Sequence, residues 1–105
     1  MKVIWSKIAL AQLKTISYQN SFSSTKNLAD KIIERTALLQ KFPEMGSLQN
    51  FDQNQKIFSK HDFRYLVEGN YKILYYITEK NIRVSLVFHT SQEPDKLNRA
   101  LEINL

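Results

Sequence analysis

The chain has 105 residues, no cysteine, 43% hydrophobic residues and a formal net charge of +5. That length suits one compact domain, read as spanning residues 1–105. The missing thiols exclude disulfides, thiol nucleophiles and zinc–thiolate centres. No apolar run reaches the ~20 residues a bilayer crossing needs, and the N-terminus lacks the apolar stretch of a secretory signal, so a soluble cytoplasmic protein is expected. Its excess of cations calls for an acidic partner, either a protein or a nucleic acid.

Lys2–Trp5 is a short apolar strand, and Ser6 follows as an N-cap whose hydroxyl can satisfy a free backbone N–H. Ala9, Leu13 and Ile16 then recur at helical spacing, with Lys7, Gln12 and Lys14 between them. Residues 20–24 are a polar break in which Ser23 or Ser24 can cap a second helix. Leu28, Ile32, Ala37, Leu39 and Phe42 form its apolar stripe, widened by Ile33. Pro43 ends it, because the residue before a proline avoids the α region. Helices of about 14 and 19 residues make a hairpin. Residues 44–54 read as a polar loop containing Gly46, and residues 55–59 as an edge strand.

Residues 63–89 hold three runs dense in β-branched and aromatic residues, joined by Glu68-Gly69-Asn70 and Glu79-Lys80-Asn81. Gly and Asn tolerate the positive φ of short hairpin turns, so the segment is predicted to be an antiparallel meander. Side chains alternate faces along a strand. On that rule Ile82, Val84, Leu86 and Phe88 face one way, and Arg83, Ser85, Val87 and His89 the other. In the middle strand Tyr71, Ile73, Tyr75 and Ile77 oppose Lys72, Leu74 and Tyr76. The first set of each strand is expected in a core with Trp5, Leu13, Ile16, Ile32 and Leu39. The second sets, with Arg64, are expected to form an open face bearing Arg64, Lys72 and Arg83, with His89 at its end. The tail, residues 95–105, can form a short helix with Leu97, Leu101 and Leu105 on one stripe. The fold class is therefore α+β, an N-terminal strand and a helical hairpin packed on an antiparallel meander.

This order of elements, with Trp5 before the Ala9/Leu13/Ile16 helix and Phe42-Pro43 and Gly46 closing the second, resembles the RelE/ParE superfamily of bacterial type II toxins. The stretch Arg64-Tyr65-Leu66-Val67-Glu68-Gly69-Asn70-Tyr71-Lys72-Ile73-Leu74-Tyr75-Tyr76-Ile77, followed by Val87-Phe88-His89, carries most of the likeness. The resemblance implies a cognate acidic antitoxin that wraps the toxin. It implies one of two targets: the ribosome, where RelE-like members cleave mRNA, or DNA gyrase, which ParE-like members inhibit without nuclease residues.

Cleavage by a ribose 2′-OH needs a base, cations around the phosphorane and an acid for the leaving oxygen. By resemblance, Lys72 stands where the nuclease has a strand arginine. Phe63 and Tyr65 stand where it has lysines, Ser91 where it has an arginine, and Leu97 where it has a tyrosine. Lys60, Arg64 and His61 near the same edge are the substitutes, with His61 and His89 as acid and base. The partner or nucleic-acid contacts expected are Lys60, Arg64, Lys72 and Arg83, and the nuclease candidates are Arg64, Lys72 and His89. No metal cluster, carboxylate pair or phosphate loop stands out, and no cofactor is implied. A ParE-like gyrase inhibitor is the expected function. The alternatives are a ribosome-dependent endonuclease and a degenerate toxin that binds only its antitoxin.

Overall fold

The structure is a computed structural model that describes residues 1–19, 28–49 and 61–92. Strand β1 (Lys2–Trp5) leads into helix α1 (Lys7–Gln19). Helix α2 (Leu28–Ala37) tightens into a 3-10 turn (Leu38–Gln40), and strands β2 (Ser47–Leu48), β3 (Phe63–Glu68), β4 (Tyr71–Ile77) and β5 (Asn81–His89) follow. The five strands form one sheet in the order β1-β5-β4-β3-β2. The expected meander is present, with Gly69 at φ +59 in its first turn. Strand β1 lies parallel to β5, so the sheet is mixed.

Helix α1 begins where Ser6 Oγ accepts the Ala9 N–H at 3.0 Å, the N-cap read from the sequence. It buries Ala9 and Ile16 and half-buries Leu13. Helix α2 buries Ala29, Ile32 and Thr36, and Leu39 continues that line. The predicted stripe is thus corrected by one position: Ala37 and Ile33 are exposed, and Thr36 takes the buried place. The Thr36 hydroxyl is satisfied there by donating to the carbonyls of Ile32 and Ile33. The helix also ends before Pro43. Lys41 and Phe42 both donate to the Leu38 carbonyl, a tightened last turn that swings Phe42 away from the core. An edge strand forms at Ser47–Leu48, inside the segment read as a loop. The predicted strand at residues 55–59, the Ser23 or Ser24 cap and the tail helix fall outside the described residues.

One irregularity reorganises the sheet. Leu74 pairs with Leu86 but Tyr75 pairs with Val84, so Ser85 is an extra residue and strict alternation fails there. Ile82, Val84 and Val87 join Ile73 and Tyr75 under the helices, with Trp5 half-buried beside them. Leu86 and Phe88 turn to the opposite face and cluster with Phe63 and Leu74. The expectation that Leu86 and Phe88 share a face with Val84, and that Val87 opposes it, is therefore overturned by the bulge. The face expected to be open and cationic carries a second buried apolar cluster.

The bulge is held by α1 and its cap. Strand β1 pairs with β5 as far as Val84, and beyond it the Ser6 hydroxyl donates to the Ser85 carbonyl at 2.8 Å. Gln12 Oε1 then accepts the Val87 N–H at 2.7 Å. Side chains thus replace the ladder bonds that a longer β1 would make.

Candidate functional site

The bulge and the strand register divide the candidate cations between the two faces of the sheet. Arg64 pairs across from Tyr75, whose ring lies in the core beneath the helices, so Arg64 is on the helical side. The Arg35–Glu68 ion pair, at 3.8 Å, marks the same side four pairs further on, joining α2 to β3. His89 pairs with Tyr71 and meets its ring edge-on at 5.3 Å, also on the helical side. Lys72 is on the opposite face, its ammonium 4.1 Å from the centre of the Tyr65 ring. Arg83, exposed, pairs with Tyr76 on that face too. The expectation of one face shared by Arg64, Lys72, Arg83 and His89 is corrected accordingly. Lys60 lies outside the described residues.

Within each face the cations stand apart. Lys72 and the Tyr76 position opposite Arg83 are four residues apart on β4, roughly 13 Å at ~3.3 Å per residue. The positions opposite Arg64 and His89, Tyr75 and Tyr71, are separated by the same interval.

Arg64 is engaged in structure. Its Nη1 donates to the carbonyl of Gly46 at 2.8 Å and of Glu44 at 3.3 Å. Beside it the buried Tyr75 hydroxyl donates to the Pro43 carbonyl at 2.8 Å and accepts the Gly46 N–H at 2.9 Å. Burial pushes the Tyr75 phenol above its ordinary range, partly offset by the Gly46 bond and the Arg64 charge, with Glu44 adding to the rise. Gly46 is required at this point. A Cβ there would lie 2.5 Å from the Tyr75 oxygen and 2.8 Å from the Tyr65 carbonyl oxygen. Tyr75 and Arg64 together clasp the segment from Pro43 to Gly46 onto the sheet.

The other candidates are also placed by neighbours. Lys72 donates to Gln49 Oε1 at 3.1 Å. The His61 ring stacks on Tyr76 with centres 4.2 Å apart. Ser91 donates its backbone N–H to His89 Nδ1 at 3.1 Å, so the neutral ring carries its proton on Nε2. The Ser91 hydroxyl sits 2.7 Å from the same nitrogen. Next to His89, a cleft of about 200 Å³ runs between α1 and β5, lined by Gln12, Thr15, Gln19 and Tyr71 among others. Among the described residues no group of three His, Asp or Glu side chains stands close enough to hold a metal.

A larger feature was not foreseen from the sequence. An open apolar groove of about 660 Å³ lies where Met1 and Ile77 meet Phe42 and the clasped residues Pro43, Glu44 and Met45. The readable signal was Phe42-Pro43: a proline that stops the helix also releases the apolar residue before it from the helical stripe.

Among the described residues no helix is long and apolar enough to cross a membrane. Comparison with curated proteins finds no match. Among solved structures, a chain of the "Chromosomal ParDE TA system from P. aeruginosa" is similar, with a TM-score of 0.59 and 18% identity over 85% of this chain and 95% of that one. That likeness shows a common fold. The sequence model of the ParE toxin of the type II toxin-antitoxin system, parDE, matches residues 3–94. With that match spanning most of its length, and with the strand, two helices and mixed sheet described above, the chain belongs to the ParE toxin family of type II toxin–antitoxin systems.

Proposed function

We propose that this toxin acts in the cytoplasm by inhibiting DNA gyrase through protein contacts, and that a cognate acidic antitoxin neutralises it. The observation that carries the reading is the division of the cations. Arg64 and His89 lie on one face of the sheet and Lys72 and Arg83 on the other. Phosphoryl transfer draws on several donors around a single phosphate, and losing one such donor commonly costs about 10²–10³ in rate. Arg64, moreover, is committed to the Gly46 and Glu44 carbonyls. A basic protein with an exposed apolar groove suits an acidic amphipathic segment as its inhibitor.

The test runs two assays side by side on the purified toxin. Gyrase supercoiling should be blocked, and mRNA on translating ribosomes should stay intact. A second reading, a ribosome-dependent endonuclease, is favoured by one arrangement: Lys72 and Arg83 share a face with Tyr65, Tyr76 and His61. Codon-positioned cuts that vanish in a Lys72→Ala, Arg83→Ala double variant would establish that reading and overturn ours.

A further inference from the structure

Among the described residues, none of the candidate cations lines the groove beside the clasp. Its wall is the segment that Tyr75 and Arg64 fix to the sheet by four hydrogen bonds. Phe42 is 59% exposed and Met45 37%, although both are large and apolar. Apolar surface displayed by a rigid wall is an aggregation liability in a free protein and a natural seat for a constant partner. Rigidity also lowers the ordering cost of binding.

The occupant follows from shape and charge. At about 660 Å³ the groove falls within the ~300–1,000 Å³ range of ligand sites. A small molecule, however, needs near-complete enclosure and a few converging polar groups. This groove is open, and among the described residues Glu44 is the polar side chain in its lining. A macromolecular segment laying apolar side chains into it fits better. A second copy of the chain is disfavoured, because each copy carries +5 and like charges oppose close approach. An acidic segment is attracted by the same charge.

We infer that the groove formed by Met1, Phe42, Pro43, Met45 and Ile77 is where apolar anchor residues of an acidic antitoxin segment dock. The inference rests on the toxin–antitoxin pairing proposed above and names the surface that serves it. Buried aromatic and aliphatic anchors seated in a preformed pocket carry most of the binding energy at such interfaces.

The experiment measures by calorimetry the affinity of the full-length toxin for the protein encoded by the reading frame adjoining its gene. Wild type, Phe42→Ser, Met45→Glu and a control, Ile33→Ser, are compared. Ile33 is an exposed apolar residue on α2, away from the groove lining. Phe42→Ser and Met45→Glu should each weaken binding by about thirty-fold or more. Ile33→Ser should bind like wild type, and all four proteins should show the same unfolding midpoint. If wild type binds and the groove variants bind equally well, the groove inference is overturned while the pairing stands; a parallel loss of gyrase inhibition would then assign the groove to the target. Equal weakening by Ile33→Ser also overturns it. So does self-association of the free toxin that Phe42→Ser abolishes, since the seat would then belong to a second copy. If wild type itself fails to bind, the pairing falls and this inference with it.

Discussion

Besides the Arg35–Glu68 ion pair, two groups of polar contacts among the described residues fasten the sheet to what covers it. At Tyr75 and Arg64 it grips a loop; at Ser85 and Val87 it is gripped by α1 and its cap. At the first place the pairing of β4 with β3 is regular and the bonds reach outward, so their product is a surface feature, the apolar wall from Phe42 to Met45. At the second the strand is irregular and the bonds reach inward, so their product is the assignment of Leu86, Val87 and Phe88 to faces. The first tie can be removed with the core still in place. The second decides what the core is.

Substitutions distinguish the two kinds of tie. The largest effect is expected at Leu86, which strict alternation would set beside Val84 and the bulge sets against Phe63, Leu74 and Phe88. Leu86→Ala should cost about 2–5 kcal/mol in denaturant unfolding, the range for a fully buried leucine. A Leu86→Glu variant that folds normally would return the residue to an open face and break the comparison.

The next effect is at the clasp. Tyr75→Phe keeps the ring but strands the Gly46 N–H and the Pro43 carbonyl, and should cost about 1–3 kcal/mol. At the bulge, Gln12→Ala removes the acceptor of the half-buried Val87 N–H and should cost about 1 kcal/mol. A larger penalty at Gln12 than at Tyr75 would reverse the ranking of the two ties.

The smallest effect is a pH dependence. Burial raises the Tyr75 phenol above its ordinary 10.0, so the folded state favours the neutral hydroxyl. That stabilisation is complete below about pH 10 and is lost as the pH climbs beyond it. Wild-type stability should therefore fall more steeply above pH 10 than that of Tyr75→Phe. Parallel curves would show that the clasp does not depend on the proton.

Much of this was legible in the residues. The Ala9, Leu13, Ile16 repeat, the Ser6 cap and the two turn signals all stand where the pattern sets them. The bulge was hidden because one surplus residue has no composition of its own. In retrospect Leu86-Val87-Phe88, three apolar residues in a row, could not be reconciled with a single buried face. Strand β3 was ambiguous for a related reason. Phe63, Tyr65 and Val67 compete with Leu66 for the core, and it is pairing with Tyr75 that sends Arg64 to the helical side. Candidate cations could thus be recognised as residue types but not grouped, since grouping depends on register. The groove is obscured because apolar spacing alone places Phe42 on the stripe of a helix that ends sooner.

The parallel pairing of β1 with β5 has a consequence for the birth of the protein. Ser6 and the Ser85 it bonds are 79 positions apart, so among the described strands β1 has no neighbour until β5 has been made. During synthesis, α1 and α2 emerge with Ala9, Ile16 and Ile32 still lacking the Ile82 and Val84 they will cover. Closing such a distant pair requires the loop-closure entropy to be met before the contacts reward it, which slows folding. Strand β1 and helix α1 therefore complete their packing only once β5 has been synthesised.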